Sequence, residues 1–376
     1  MRYDVAVIGL GGMGSAILAH CAQRGASVIG LEQFGRGHDL GSSSGKSRLI
    51  RKAYFEDAAY VPLLQRSYDL WRKLEQDTGE DLLSITGLLS VGEAGSPIIE
   101  GTRQAARAHD LALESLNRDD VRARYPMLDL LPDEVAVFEP DGGVLNPERA
   151  VEAHLKVAES ARAELRFEVE VKSWETASHG FEILLSDGSR ISAGRLVLSL
   201  GPWFKETLES IGVPLRVQRN IQAWFAPATN AYGALRFPAF LLNRRGLPAP
   251  LYGFPDFGDG VKTAFHGFGE ITDAQKIDRE IDLKRDVDPL ARELEGWMPG
   301  ASATFRGAKA CMYSLTSDEH FVIDRHPDHP HMILCGGFSG HGFKFAPVIG
   351  EIAAELVLEG ESRHDIAFLS LRRFAR

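Results

Sequence analysis

Gly9, Gly11 and Gly14 stand in the spacing Gly-x-Gly-x-x-Gly, and Glu32 follows 23 residues after Gly9. These residues, with Gly12 and Met13 completing the turn, point most directly to chemistry. Gly9 permits a tight turn, Gly11 lets a pyrophosphate approach the backbone, and Gly14 lets a helix pack closely on a strand. The helix that starts there offers unpaired N–H groups to an anion. A carboxylate at Glu32 accepts both ribose hydroxyls of an adenosine half, and an acid at this point disfavours a 2′-phosphate. The motif therefore reads as a site for FAD or NAD rather than NADP. The plainer alternative is a glycine turn that serves packing alone.

A second constellation lies in the last third: Cys311-Met312-Tyr313, Asp318-Glu319-His320-Phe321-Val322-Ile323-Asp324, and the loop Gly336 to Phe345, with Gly337, Gly340, Gly342 and Lys344. A glycine-rich loop between a strand and a helix sets backbone N–H groups and a positive helix end beside a ligand. A reduced flavin is negative on its pyrimidine side, so a helix end plus Lys344 favours electron uptake. Alone, Lys344 reads more simply as a solvated lysine; Phe343, Phe345 and the glycines favour the ligand.

The elements that must position these groups follow from pattern. Val5–Ile8 reads as a strand, the next stretch to Arg24 as a helix ended by Gly25, and Ser27–Leu31 as a second strand. The glycine- and serine-rich loop Gly35–Gly45 is too long for an idle connection. Helical periodicity is read through Arg48-Leu49-Ile50-Arg51 and from Tyr60 to Glu75, then near Thr102–His109 and over 147–165, opened by Pro147. Leu165–Val171, Phe181–Leu185 and Arg195–Ser199 read as strands, the second and third joined by the turn Ser186-Asp187-Gly188. Leu196 to Trp203 reads as a buried strand ending in a glycine turn. Residues 217–313 are mostly strand-like and suggest an antiparallel sheet; Met332–Cys335 reads as a strand and Pro347–Leu358 as a helix. The expected architecture is α/β (α+β): a Rossmann-like nucleotide-binding domain of residues 1–84, 145–216 and 320–376, and an inserted antiparallel β-sheet substrate domain of residues 85–144 and 217–319.

Composition excludes several classes. The chain has 376 residues, enough for two domains, and a net charge of −10, which disfavours nucleic acid and anionic membranes. Three scattered cysteines build no disulfide framework, and a cytoplasmic location is expected. The N-terminal apolar stretch holds the glycine turn and lacks a cleavage site, and no window suits a membrane span.

Together these motifs resemble the monomeric sarcosine oxidase and N-methyltryptophan oxidase family of flavoenzymes. The likeness runs end to end and includes Arg48-Leu49-Ile50-Arg51, Tyr60-Val61-Pro62-Leu63, Phe138-Glu139-Pro140, Tyr252-Gly253-Phe254-Pro255 and Met298-Pro299-Gly300. It implies a flavin-binding domain of the D-amino-acid-oxidase type over a β-sheet substrate domain. It also implies oxidation of N-methyl amino acids by oxygen, with release of formaldehyde and peroxide, by a monomer.

Carried over by residue, Cys311 matches the cysteine bonded to the flavin 8-methyl group, although an isolated cysteine is more often a buried apolar residue. Cys21 and Cys335 read as inert core. Arg51 and Lys344 match the pair holding the substrate carboxylate, and an arginine supplies the two-pronged grip a carboxylate accepts. Arg48, read as sharing a helical face with Arg51, matches an arginine near the flavin; without the resemblance, both read as a solvated basic face. Lys262 matches an oxygen-activating lysine and His266 an active-site histidine, with Tyr313 and Tyr252 as pocket walls. His266 alone reads as a structural histidine, but even spacing puts Lys262, Ala264 and His266 on one side of a strand. Ser42, Val171, Gly201 and Trp203 fall among the cofactor's expected neighbours.

The chain departs from the pattern at Ser43, Ser44 and Lys46, where the family has paired histidines and an aspartate. Such a change alters charge near the flavin and leaves room for a more acidic or larger substrate. The alternative substrate is therefore a bulkier or cyclic secondary amino acid of the N-methyltryptophan, pipecolate or proline type, taken by an oxidase or a dehydrogenase. His326-Pro327-Asp328-His329-Pro330-His331 invites a metal reading, but its prolines suggest an exposed turn, and no metal is expected.

Overall fold

A computed structural model describes residues 2–374. Strand β1 (Arg2–Ile8), helix α1 (Gly12–Gln23) and strand β2 (Val28–Leu31) form the expected N-terminal unit. β1 is parallel both to β2 and to the strand Arg190–Leu198; Glu164–Arg166 extends the sheet beyond β2, and Met332–Gly336 runs parallel beside Arg190–Leu198. Both faces are covered, which explains the continuous apolar runs. Val5, Val7, Val197, Ile333 and Cys335 enter one core with α1 and the helix Ala346–Leu358. Ala6, Ile8, Leu196, Leu198, Met332 and Leu334 enter the core on the opposite face. Each fully buried Val, Leu or Ile contributes roughly 1.5–3 kcal/mol, and the alternation lets one strand contribute to both layers.

A second sheet of nine strands includes Leu88–Glu93, Glu134–Glu139, Arg216–Ala226, Ala239–Asn243, Leu251–Phe254, Val261–Phe265 and Thr304–Leu315. It is mixed rather than wholly antiparallel, because Leu88–Glu93 pairs parallel with Ala239–Asn243, joining the two sequence pieces that supply it. A helix, Asp288–Trp297, interrupts the strand-like stretch and buries Leu290, Leu294 and Trp297. Arg48–Ile50 is a strand, not a helix, paired with Gly143–Leu145 in a small third sheet. Leu165–Val171 is likewise not one strand, since pairing stops at Arg166 and resumes at Val171 in a different hairpin. The His326 turn is only partly exposed: His326 is tucked under, with its ring 4.8 Å from that of His329.

Cys21 and Cys335 are buried free thiols, each pushed up to about 12 by burial, as inert core residues should be. Among the described residues, no helix is long and apolar enough to cross a membrane. A carboxylate–imidazole group formed by Glu351, Glu355 and His364 could geometrically hold a metal. Arg66 and Arg363 pair with Glu351, and Arg24 and Arg363 pair with Glu355. That cluster reads as a charge network between helix and tail.

Candidate active site

The turn after β1 is built by close approach. A Cβ on Gly14 would lie 1.7 Å from the Gly9 carbonyl oxygen, and one on Gly9, whose φ is +87°, would lie 2.3 Å from that of Ser199. The same construction at Gly11 meets nothing nearer than Ser43 Oγ at 3.7 Å, so its approach from the cavity is open. Glu32 closes the turn: Leu10 N–H donates to one carboxylate oxygen at 2.8 Å and Phe34 N–H to the other at 3.1 Å. Burial raises the Glu32 pKa, but the hydrogen bonds from His38 and the Leu10 N–H outweigh it and hold the group below its usual value. It therefore stays ionised, with lone pairs left for a further donor. The Gly12 N–H donates to Ser43 Oγ at 3.0 Å, so the serine that replaces an expected histidine sits on the helix N-terminus.

From this turn a cavity of about 460 Å³ runs to the loop before Ala346–Leu358. Of the residues singled out in the sequence, Gly9, Gly11, Gly12, Met13, Glu32, Ser42, Arg48, Arg51, Val171, Gly201, Trp203, Tyr252, His266, Tyr313, Gly340, Gly342 and Lys344 line it. Gly14, Gly337, Cys311 and Lys262 are not among the lining residues. Gly14 is spent on helix–strand packing. Gly337 takes φ +62° beneath Thr316. Cys311 is buried on the strand Thr304–Leu315 with its sulfur 4.0 Å from the Ser42 carbonyl, and its neighbours Met312 and Tyr313 reach the cavity.

The far end is cationic and aromatic. Arg51 is buried, with its guanidinium carbon 4.3 Å from the ring centres of both Tyr54 and Phe55. Its Nη2 donates to both oxygens of Glu56, at 2.6 and 2.7 Å. Burial would raise the Glu56 pKa, yet Arg51, His341 and Lys344 pull it down to about 2. Lys344 Nζ donates to the His341 carbonyl at 2.6 Å and lies 3.5 Å from the Tyr54 hydroxyl. His341 Nε2 faces the Glu319 carbonyl at 3.1 Å, which makes that nitrogen the donor; Tyr54 then donates to Nδ1 at 2.6 Å. Burial lowers Lys344 to about 7, with Arg51 adding to the effect. Because an anion stabilises the charged lysine, carboxylate binding should take up a proton at neutral pH and weaken as pH rises through about 7. Titration calorimetry with acetate in two buffers of different ionisation enthalpy would measure that uptake; its absence would place the anion elsewhere.

His266 stands beside Tyr313, with 3.4 Å between its Nδ1 and the hydroxyl, and burial lowers it to about 4, so it is neutral. Arg48 and Lys262 have a shared task the sequence did not indicate. Arg48 donates to the carbonyls of Ser42, Ser44 and Ser47, and Lys262 Nζ to those of Gly45 and Ser47 at 2.7 and 2.9 Å. Lys262 and His266 therefore do not share a pocket as expected: the lysine turns under the loop, and His266 follows the strand's last residue. Burial, then Arg48, drives the Lys262 pKa well below its usual value. Lys46 points outward, paired with Asp259 at 2.5 Å, and does not line the cavity. Glu56 carries no signal in the sequence, since no regular element relates it to Arg51, and Tyr54, Phe55 and His341 are equally unmarked there.

A parallel sheet ending in a glycine turn, joined by one cavity to a buried cationic pocket, is the architecture of a dinucleotide-dependent α/β enzyme. The chain matches the family model "FAD dependent oxidoreductase" over residues 4–356, and it belongs to that family. It is 42% identical to a monomeric sarcosine oxidase of Streptomyces avermitilis, over 99% of this chain and 98% of the relative. It is 33% identical to N-methyl-L-tryptophan oxidase of Yersinia pestis (strain Pestoides F), over the full length of both. The solved structure of NikD, an unusual amino acid oxidase essential for nikkomycin biosynthesis, aligns with a TM-score of 0.87 at 24% identity. That alignment covers 98% of this chain and 97% of NikD, and shows the shared fold. The residues present fit FAD: Gly9 and Gly14 leave no room for a Cβ, Gly11 stays open to the cavity, and an ionised carboxylate waits at the end of β2.

Proposed function

We propose that this enzyme oxidises N-methyl amino acids such as sarcosine. The balanced reaction joins the N-methyl amino acid with water and oxygen, yielding the demethylated amino acid, formaldehyde and hydrogen peroxide. The observation that carries the reading is the bidentate carboxylate on Arg51 beside Lys344: the pocket already holds one carboxylate, that of Glu56. FAD, when bound, supplies hydride acceptance from the carbon next to nitrogen and passes two electrons to oxygen.

Gly9, Gly11, Gly12, Met13, Glu32 and Ser42 would hold the adenosine and pyrophosphate side, with Val171, Gly201 and Trp203 along the same wall. Gly337, Gly340, Gly342 and Lys344 would serve the ring end. An incoming carboxylate takes over the Arg51 Nη2 that Glu56 occupies, and Lys344 gains its proton as it arrives. Neutral His266 offers the amine a lone pair rather than a repelling charge, so the unprotonated amine is accommodated beside it. Tyr252 and Tyr313 wall the reacting end and exclude water. Arg48 and Lys262 stiffen the loop 42–47, and Arg48, joined by Lys262 whenever the lysine holds its proton, adds positive potential beneath it, where reduced oxygen species gain stabilisation. The domain division at 84/85, 144/145, 216/217 and 319/320, a monomeric state and a cytoplasmic location belong to the same reading.

The test is a peroxide and formaldehyde assay under air with N-methylglycine, N-methyltryptophan, proline and pipecolate. Equal yields of both products from N-methylglycine are expected. Bound flavin that no N-methyl amino acid reduces in the absence of oxygen would sink the proposal. A covalent bond from Cys311 to the flavin is part of it: acid precipitation should leave the protein yellow, and Cys311→Ala should release the colour to the supernatant. Free flavin from the unsubstituted protein would remove the tether while leaving the oxidase.

A further inference from the structure

Glu139 closes the strand Glu134–Glu139 and is 2% exposed. One of its oxygens accepts from Lys52 N–H at 2.5 Å and the other from Ala53 N–H at 3.2 Å. The Ala53 carbonyl, on the same turn, accepts from Arg51 Nη1 at 3.3 Å. Arg51 Nε has no hydrogen-bond partner, and Arg51 and Glu139 line one narrow void with Ser90 and Thr102. The guanidinium is therefore held from behind by a peptide that a single buried carboxylate fixes, while Glu56 holds it in front.

We propose that Glu139 is a positioning residue: it clamps the Lys52–Ala53 turn so that the Arg51 fork faces the substrate carboxylate. The inference rests on the reading that Arg51 and Lys344 bind that carboxylate. Arg51 and Lys52 face Glu139 from the turn, Asp141 from beyond its own strand, and Tyr68 from the helix Val61–Thr78; Ser90 and Thr102 are uncharged. Burial pushes Glu139 up to about 6, against the Lys52 N–H and Arg51, and Asp141 adds to the rise. Below that pH one oxygen carries a proton and stops accepting, the turn loosens, and carboxylate binding weakens. Lys344 acts with opposite sign, losing its proton as pH rises through about 7. Affinity for a carboxylate then peaks between the two values.

The experiment measures acetate binding to the flavin-loaded enzyme between pH 5 and 9 by the flavin absorbance change. The unsubstituted enzyme should show weakening on both sides of the peak. Glu139→Gln should lose the acid limb, keep the alkaline one, and bind acetate about fivefold more weakly near the peak. In turnover its KM should rise by more than its kcat falls, and Glu139→Asp should restore the acid limb. Removing a negative charge near Arg51 would by itself tighten anion binding. Unchanged or tighter acetate binding in Glu139→Gln therefore overturns the proposal, as does an unsubstituted enzyme with no weakening below pH 6, even if the variant fails to fold. Lys344→Met separates the two readings: if it binds acetate unchanged, the carboxylate site itself is wrong, and this inference falls with it.

Discussion

Arg51→Met should lower kcat/KM for N-methylglycine by about 30-fold or more, since truncating one partner of a buried, hydrogen-bonded charge pair costs about 2–5 kcal/mol and tenfold corresponds to about 1.4 kcal/mol. The loss has two sources. The substrate carboxylate forfeits a two-pronged donor, and Glu56 is left as a buried carboxylate without the cation that most lowers its pKa. Arg51→Lys should fall between, because an ammonium keeps the charge but lacks the planar guanidinium that reaches Glu56 through Nη2 and the Ala53 carbonyl through Nη1 at once. Adding Glu56→Gln to Arg51→Met should recover thermal stability, as the stranded charge is gone, but not substrate affinity. Steady-state kinetics with differential scanning calorimetry would show this split. An Arg51→Met enzyme within threefold of the original would mean that the carboxylate docks elsewhere.

Gly14→Ala is expected to abolish flavin retention. The added methyl would sit 1.7 Å from a backbone oxygen of Gly9, so α1 must move off β1, opening the parallel-sheet core that both elements share. Overpacking of this kind costs roughly 1–3 kcal/mol where side chains can yield, and more here, where the obstacle is backbone. The purified variant should be colourless and melt several degrees lower. Gly11→Ala is the informative partner, because its methyl meets only an ordinary contact, with Ser43 Oγ at 3.7 Å. It should melt close to the original apoprotein yet bind FAD at least about tenfold more weakly, the loss expected when a backbone approach is blocked. Full flavin content in Gly14→Ala would refute the packing argument, and full affinity in Gly11→Ala would refute the contact.

The β1–α1–β2 unit was legible because its signals are local. Glycine spacing, a run of β-branched residues and one acid at the end of β2 lie within 32 residues, and their geometry follows from chain stereochemistry. The buried strands were legible for a similar reason: apolar runs bounded by turn residues have few other stable placements. Arg48–Arg51 fits a helical face as well as a strand, because two arginines three apart flank Leu and Ile, and pairing of Arg48–Ile50 with Gly143–Leu145 decides for the strand. The helix Asp288–Trp297 was hidden among strand-like neighbours, its apolar stripe becoming evident only where it packs.

What the chain alone determined is the nucleotide-binding unit at its start, since residue type and short spacing carry that information; the cations Arg51, Lys262 and Lys344 were marked by the family resemblance, because each by itself reads as an ordinary basic residue. What only tertiary structure decided is where those cations point. Lys262 turns to the carbonyls of Gly45 and Ser47, more than 200 residues away in sequence, and Arg51 lies between Glu56 in front and the Glu139-held turn behind. The reason is that burying a charge is tolerable only when partners are brought to it, and those partners come from strands and loops whose meeting is a property of the whole fold.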